Sequence, residues 1–437
     1  MAIKLYRRRE PEKTDFYKIV YHYFKEYEEV YPDRYESEYG YFRKNISEVI
    51  NKFLECGILE HGFARVYCKI CRKDIFVGLS CKTRFLCPSC TQKRKLVWTD
   101  WVTNHVLKNI PHRHWVFTIP KILRKLFYKD RSLLSYLANC SKETLLEMFK
   151  AIYPDKGYIP GIVLSIQTSG DMMVLNPHTH AICSDGVFDP EANFHPVAKM
   201  DSESGMIIFR EKIFRMLKAN NRISDKLINK LRQWRYSGFS VYNEGVVEED
   251  KPKQLEKLAQ YIVHPTFFAS KLKYNQDTAS VIYKSKMHLG KKRNFEVLDV
   301  IEFLHRVCLH IPDPYESLIR YYGFYGNAAR GKRKKSGLEN EDTENIKIDI
   351  IDDAPSKKSC RKSWSQLVYK VWEVDPLICP NCQKTMKIIA FIIDRDEIIK
   401  ILKHLNIWPI QYPQPPPKIS PLYLEFLSKL AASKHLN

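Results

Sequence analysis

The sequence lacks three features that would assign it at once to a membrane, secreted or nucleotide-dependent class. It contains no uninterrupted run of 18 apolar residues, so no segment is expected to span a membrane. The basic start, Met1 to Arg9, is not followed by an apolar signal core. No Walker-type glycine-rich loop occurs. We therefore expect a cytoplasmic protein with neither a membrane partner nor a nucleotide cofactor.

Acidic residues are scarce relative to basic ones. The 437 residues include 71 Lys and Arg against 50 Asp and Glu, which gives a formal net charge of +21. A charge of this size indicates a polyanionic partner such as nucleic acid, and the alternative is a basic protein whose charge serves only solubility. The length predicts several domains, and the 12 cysteines of a cytosolic chain are expected to be free or metal-bound.

Four of the cysteines form two Cys-x-x-Cys pairs. Cys68 and Cys71 are separated from Cys87 and Cys90 by fifteen residues. Two such pairs at this separation are typical of a structural zinc ribbon, because each tight turn supplies two thiolates and four thiolates close a tetrahedron. The sequence therefore predicts one zinc ion at these four residues, with Cys81 as a substitute ligand.

A histidine pair lies in a predicted strand that continues to about residue 187. Alternation places His178 and His180 on the same face, about 7 Å apart, where both can bind one metal ion. If the preceding strand, residues 161–168, pairs with this one, Gln167 lies beside the two histidines as a third ligand. Asp171 and Asp185 compete for that role. The alternative for the pair is two ordinary surface histidines.

A helix is predicted from Pro252 to Val263. Lys257, Tyr261 and His264 follow at helical spacing on the side opposite its apolar residues. A single tyrosine among 26 carries little weight by itself, and an ordinary surface tyrosine is the default interpretation.

Several stretches in the same order along the chain resemble one family, the rolling-circle transposases of the insertion-sequence-91 type, which are HUH endonucleases. The stretches are residues 56–65, 80–90, 111–116, 167–168, 176–180, 319–323 and 375–380. Two departures are the small Thr179 between the histidines, where the superfamily usually has a bulky apolar residue, and Lys257 four residues before Tyr261. Many members have a second tyrosine at the position of Lys257, so the chain resembles a one-tyrosine member.

The resemblance implies an α+β fold with an HUH core, an antiparallel sheet with helices related to ferredoxin-like and RNA-recognition folds. His178 and His180 would bind Mg²⁺ or Mn²⁺, and Tyr261 would attack a single-stranded DNA phosphate to form a 5′-phosphotyrosine bond. The implied partners are the ends of a mobile element and its target DNA, in a prokaryotic cytoplasm and on the nucleoid. Two alternatives are a non-catalytic zinc-ribbon protein and a replication-initiator nickase.

The predicted organisation has five parts. They are a helical region (1–60), the zinc ribbon with its following helix (61–110), the catalytic domain (111–325), a charged linker (326–362) and a small C-terminal module (363–437). The last contains Cys379 and Cys382, a candidate second zinc site for which Cys360 and His404 are conceivable partners. Basic residues predicted to contact DNA phosphates are Arg84, Arg94, Lys257 and Arg320.

Overall fold

A computed structural model of the protein describes residues 9–337, except residues 84, 156, 198–199, 235–236 and 289–292, and residues 377–414, except residue 411. The α-helices are α1 (Asp15–Tyr31), α2 (Ser37–Tyr39), α3 (Lys44–Leu54), α4 (Pro88–His105), α5 (Leu126–Lys129), α6 (Ser132–Ile152), α7 (Ser202–Ala219), α8 (Asp225–Gln233), α9 (Pro252–Ile262), α10 (Val300–Leu309), α11 (Asn327–Lys335) and α12 (Arg395–His404). Within these ranges, no helix is both long enough and apolar enough to cross a bilayer.

In the described part of the chain, the strands form four antiparallel sheets. They are β1 (Phe63–Cys68), β2 (Lys73–Gly78), β3 (His112–Thr118), β4 (Gly161–Ser169), β5 (Leu175–Ser184), β6 (Gly186–Phe188), β7 (Phe194–Pro196), β8 (Ser240–Val247), β9 (Leu272–Asn275), β10 (Ser280–His288), β11 (Arg293–Asp299), β12 (Ile319–Gly323) and β13 (Lys387–Ile392). The largest sheet has the order β12-β4-β5-β3-β8. The mixed composition of helices and antiparallel sheets confirms the predicted α+β class.

One face of this five-stranded sheet is covered by α6, α7 and α8. Alternation along β3 turns Trp115 and Phe117 toward those helices, and both side chains are fully buried there. The opposite face presents the polar residues of the same strands. It is covered only in part, by α4 and α9, which pack through Val102, Ala259 and Ile262. The candidate site lies on this face, beside α9.

Thr179 belongs to the helix-covered face. Its side chain is fully buried, and its hydroxyl lies 2.8 Å from that of Ser141 on α6. Ser141 in turn donates to the carbonyl of Leu137 at 3.0 Å. A bulky apolar side chain at 179 would leave the Ser141 hydroxyl without this buried partner, so the small polar residue between the histidines has a structural cause.

The N-terminal helices do not form a region of their own. Together with α10 and the sheet of β9, β10 and β11 they build one aromatic-rich core. The hydroxyls of Tyr23 and Tyr274 lie 3.0 Å apart, and Arg43 donates to Asp313 at 2.5 Å. Residues predicted to lie in the first and third parts of the chain therefore share a core, because the aromatic face of α1 is buried only against the later segment.

The C-terminal residues also pack against an earlier part of the chain. The sheet that contains the first strands of the predicted zinc ribbon has the order β13-β1-β2, with Val66 opposite Ile388 across β1 and β13. Ile398 and Leu402 of α12 are buried in the N-terminal core. Residues 377–410 therefore complete the N-terminal domain, whereas the sequence predicted a separate module.

Helix α11 lies inside the predicted linker. The guanidinium of Arg333 lies 3.6 Å from the ring centroid of Phe324, and that of Arg330 lies 5.2 Å from Trp101. These cation–π contacts hold a strongly basic segment in helical form against α4 and β12. The acidic remainder of the predicted linker lies outside the described residues.

Candidate active site and metal centres

The two histidines of β5 converge on the face of the large sheet that carries α4 and α9. His178 and His180 are buried, and their Nε2 atoms lie 3.0 Å apart. Ligands at right angles around an octahedral ion, each about 2.1 Å away, would be about 3.0 Å apart. The observed spacing therefore fits two ligands of a single divalent ion.

The second nitrogen of His178 has a partner that fixes its tautomer. Nδ1 of His178 lies 2.6 Å from the carbonyl oxygen of Asn176. A carbonyl only accepts, so Nδ1 carries the proton and donates, and Nε2 keeps its lone pair. This is the tautomer that a metal bound at Nε2 requires.

Burial keeps both imidazoles neutral. Desolvation lowers the pKa of His178 to about 4, and desolvation together with the neighbouring His178 and His114 lowers the pKa of His180 to about 2. Neutral imidazole is the form that binds metal, so the pair is ready to bind an ion at neutral pH.

Gln167 occupies the position that strand alternation predicts. It pairs with His178 across β4 and β5, and its amide nitrogen donates to the carbonyl of Ile262 at 2.8 Å. Its Oε1 atom is buried and, among the described residues, has no hydrogen-bond partner. A buried amide oxygen without a donor beside two imidazole nitrogens suits a hard divalent cation.

The two competing carboxylates are engaged elsewhere. Asp185 forms a bidentate ion pair with Arg113, with both N···O distances at 2.7 Å. Asp171 accepts a hydrogen bond from the hydroxyl of Ser285. Gln167 thus remains the third ligand that the geometry favours, and its role as a ligand stays a prediction.

Tyr261 lies directly over the histidines. Its ring is nearly perpendicular to those of His180 and His114, with centroids 5.4 and 5.6 Å away, and is stacked with His264 at 5.8 Å. Helix α9 produces this placement because Ala259 and Ile262 are buried while Tyr261, in the last turn, is 54% exposed. The phenol is therefore both beside the candidate metal ligands and open to solvent.

His114 is a site residue that the sequence reasoning missed. Its Nε2 lies 3.0 Å from Nδ1 of His180. The neutral imidazoles of His114, His180 and His178 can form one chain of hydrogen bonds that ends at the carbonyl of Asn176. In the alternative tautomer, His180 donates from Nδ1 to His114, and its Nε2 is then free to bind a metal. The available signal was the two-residue spacing of His112 and His114 in a strand next to β5.

A cavity of about 70 Å³ opens beside Gln167 and His264. Its walls are mainly apolar and include Phe85 and Trp98, and Arg94 and Lys95 of α4 also line it. An aromatic and basic wall next to the candidate nucleophile is suited to an unpaired nucleotide, since bases stack on rings while phosphates pair with cations.

The other basic candidates have different surroundings. Lys257 is exposed one helical turn before Tyr261, and Arg94 lines the cavity. Arg320 donates to the hydroxyl of Ser135 on α6 at 2.6 Å, on the face of the sheet opposite the histidines. The structure thus brings Lys257 and Arg94 to the site and leaves Arg320 away from it, and Arg84 lies outside the described residues.

Eight of the cysteines in the described part of the chain form two groups of four. The first consists of Cys56, Cys81, Cys87 and Cys90, and the second of Cys68, Cys71, Cys379 and Cys382, with all ligand atoms of each group within 4.8 Å of one another. The prediction of one site containing Cys68, Cys71, Cys87 and Cys90 is therefore wrong. Each Cys-x-x-Cys turn is local, but its partner pair is set by the tertiary fold.

Each group has the dimensions of a zinc–thiolate centre. In the first, Cys56 Sγ lies 3.7 Å from Cys87 Sγ and 3.8 Å from Cys90 Sγ, and Cys81 Sγ lies 3.6 Å from Cys90 Sγ. Thiolates about 2.3 Å from a tetrahedral zinc lie about 3.8 Å from one another. The clusters thus fit structural zinc, and Cys81, predicted as a substitute, belongs to the first set.

Comparison with known proteins assigns the class. A family model described as "Transposase zinc-binding domain", of the insertion-sequence-91 type, matches residues 24–119. A second, described as "Putative transposase", matches residues 161–334. The chain therefore belongs to the insertion-sequence-91-type transposases.

Two curated relatives agree with this assignment. The "Transposase for insertion sequence element IS801" of Pseudomonas savastanoi pv. phaseolicola is 26% identical over 310 residues, which cover 68% of this chain and 74% of that protein. The "Putative transposase y4qJ" of Sinorhizobium fredii (strain NBRC 101917 / NGR234) is 22% identical over 336 residues, 72% of this chain and 81% of that protein. No solved structure matches the chain significantly.

Proposed function

We propose that this transposase nicks single-stranded DNA and transfers the strand through a covalent bond to Tyr261, in a rolling-circle-like transposition. The observation that carries the proposal is the position of the exposed Tyr261 ring over the paired imidazoles of His180 and His114. The DNA ends of the mobile element and the target DNA are the proposed substrates.

His178, His180 and Gln167 are the residues that would hold a divalent cation, Mg²⁺ or Mn²⁺. When bound, such an ion polarises a phosphoryl oxygen and stabilises the negative charge that develops on it. His114 and the carbonyl of Asn176 orient the two imidazoles, and burial keeps them neutral.

Tyr261 supplies the nucleophile. Its phenol loses a proton to solvent, and its oxygen forms a bond to phosphorus while the bond between phosphorus and the 3′ oxygen breaks. The leaving 3′ oxygen takes up a proton, and the 5′ phosphate stays on the tyrosine. Attack by another 3′-hydroxyl reverses these changes and rejoins DNA, so the strand transfer needs no nucleotide cofactor.

The substrate is expected to be unpaired near the scissile phosphate. The cavity beside Gln167 is lined by Phe85 and Trp98 and by the basic residues Arg94 and Lys95. An unpaired base can stack against such a wall, whereas a base within a duplex is already stacked and paired.

The test is incubation of the protein with a single-stranded oligonucleotide library and Mn²⁺, followed by isolation and sequencing of covalent adducts. The wild-type protein should form adducts that map to Tyr261 by peptide mass spectrometry. Tyr242→Phe is a matched control, because Tyr242 is also exposed and its ring lies 6.4 Å from His114, but it is on β8. An adduct that maps to another residue would refute the assignment of the nucleophile.

A further inference from the structure

The second cysteine group takes its members from two distant parts of the sequence. Cys68 ends β1 and Cys71 lies in the following turn, whereas Cys379 and Cys382 lie more than 300 residues later, just before β13. Cys68 Sγ lies 3.6 Å from Cys382 Sγ, and Cys71 Sγ lies 3.8 Å from Cys379 Sγ. These two contacts connect the early and late parts of the chain.

The sulfur spacing decides between a disulfide and a metal centre. A disulfide holds its sulfurs about 2.05 Å apart, far closer than any of these contacts. The contacts of 3.6 and 3.8 Å match the edges of a zinc–thiolate tetrahedron, and all four sulfurs lie within 4.8 Å of one another. The backbone amide of Cys71 also points at Cys68 Sγ at 3.4 Å, as expected for a turn that presents two thiolates to one ion.

Close to this group, little besides backbone pairing holds the C-terminal strand. The next anchor of the same segment is α12, whose Ile398 and Leu402 are buried in the N-terminal core. The apolar cluster at the group contains Ala64, Val66, Val77, Met386 and Ile388 besides cysteines. A sheet of three short strands with so small a core is of the size that usually requires a metal for stability. The backbone pairing of β1 with β13 alone would be a marginal contact.

We propose that Cys68, Cys71, Cys379 and Cys382 bind a second zinc ion, separate from the one at Cys56, Cys81, Cys87 and Cys90, and that this ion fastens residues 377–392 to the N-terminal domain. The ion acts as a cross-link between sequence-distant segments. Its binding free energy adds to that of β1–β13 pairing, since the ligands are brought together only in the folded chain.

The metal content gives the first test. Purified wild-type protein should contain two zinc ions per chain by mass spectrometry of the metals. Cys379→Ser with Cys382→Ser should contain one, and so should Cys87→Ser, which alters the other group. Cys140→Ala, which removes a buried thiol outside both groups, should retain two. One zinc in the wild-type protein, or two in the double variant, would overturn the proposal.

Hydrogen exchange gives the second test. In the double variant, amides of β13 should exchange at least tenfold faster than in the wild type, while those of β4 and β5 should be unchanged. The single variant Cys382→His, in which Cys379 is intact, should keep both the second zinc and the slow exchange of β13. Three cysteines and one histidine also bind zinc tetrahedrally. Unchanged β13 exchange in a variant that has lost the second zinc would show that the ion does not fasten this strand.

A chelator titration of the wild-type protein avoids any dependence on variants that fold poorly. Loss of the zinc ion at Cys68, Cys71, Cys379 and Cys382 should coincide with loss of β13 protection from exchange. Loss of the other zinc ion should leave that protection unchanged. If β13 protection persists after both ions are removed, the zinc does not hold the strand and the proposal fails.

Discussion

The ring of Tyr261 stands edge-on to the imidazole of His180, with centroids 5.4 Å apart and planes at 87°. The two residues come from different elements, the last turn of α9 and the middle of β5. The contact places the candidate nucleophile next to the candidate metal ligand before any DNA is bound.

Tyr261→Phe should bind single-stranded DNA and Mn²⁺ as the wild type does, yet form neither adduct nor nick. The substitution keeps the ring contacts with His180 and His114 and removes only the oxygen that we propose attacks phosphorus. We expect a loss of roughly 10⁴-fold or more in nicking rate, measured with a labelled oligonucleotide.

Two further tyrosines, Tyr274 and Tyr283, follow Tyr261 in the chain, but their surroundings are less suited to a nucleophile. Tyr274 is buried with its hydroxyl against that of Tyr23, and the hydroxyl of the buried Tyr283 accepts from the amide of Phe268 at 3.1 Å. An adduct that persists in Tyr261→Phe would nevertheless require both to be tested.

His178→Ala and His180→Ala should fail differently from Tyr261→Phe. Each removes one imidazole from the candidate metal site, and we expect metal affinity to fall at least about 100-fold. Raising Mn²⁺ should partly restore nicking, since mass action offsets weaker binding. Tyr261→Phe should remain inactive at every Mn²⁺ concentration. If the histidine variants and Tyr261→Phe responded to Mn²⁺ in the same way, this division of roles would be contradicted.

His114→Ala should weaken metal binding without removing a ligand. The variant loses the hydrogen bond that orients His180, and such outer partners typically contribute about 10- to 100-fold in metal affinity. Isothermal titration with Mn²⁺ measures the effect, and His114→Gln should restore part of it. His105→Ala, at an exposed position of α4, is the control. Unchanged Mn²⁺ affinity in His114→Ala would exclude the positioning role.

The stability of the fold should decrease between about pH 6.5 and pH 4. Burial lowers the pKa of His305 to about 3, and its Nε2 has no hydrogen-bond partner among the described residues. The unfolded chain therefore binds a proton in this range that the folded chain does not, so stability falls as pH falls, by about 3 kcal/mol at pH 4 for this group.

Urea unfolding at several pH values measures this effect. His305→Phe keeps a ring against Tyr35, on which His305 is stacked at 3.7 Å, but cannot titrate. Its unfolding free energy should depend less on pH between 4 and 6.5. His105→Asn should retain the wild-type profile, and an equally steep profile in His305→Phe would assign the acid sensitivity to other groups.

The protein should prefer single-stranded DNA to duplex, and its affinity should fall steeply with salt. Each phosphate contact contributes a slope of about −0.7 in a plot of log affinity against log salt, so four contacts would lower affinity roughly 50-fold between about 50 and 200 mM salt. Fluorescence anisotropy with matched single-stranded and paired oligonucleotides tests both statements. Equal or tighter duplex binding would contradict the first, and a shallow slope would mean that the +21 charge serves solubility.

Local pattern predicted much of the site. Two-residue alternation placed His178 and His180 together and Gln167 beside them, and helical spacing placed Tyr261 on the open side of α9. These relations depend only on the geometry of one strand pair and one helix. His114 was missed because its approach to His180 depends on which strand adjoins β5, which neither sequence segment specifies alone.

The grouping of the cysteines also depends on tertiary structure that local sequence spacing does not specify. The spacing within each Cys-x-x-Cys turn correctly indicates two ligands, but Cys68 and Cys71 join Cys379 and Cys382 only because β13 crosses back to β1. That crossing is encoded by side-chain packing across more than 300 residues and leaves no local period to detect.

The position of β1 between β2 and β13 has a consequence for synthesis of the protein. β1 is translated more than 300 residues before β13, its second neighbour in the sheet. During that interval β1 is an open sheet edge, the kind of edge that pairs with other chains or recruits chaperones. A prematurely terminated copy would retain the helix with Tyr261 and the histidine strand but keep this edge permanently exposed. Quality control would thus act against fragments that lack β13 but still carry the candidate nucleophile.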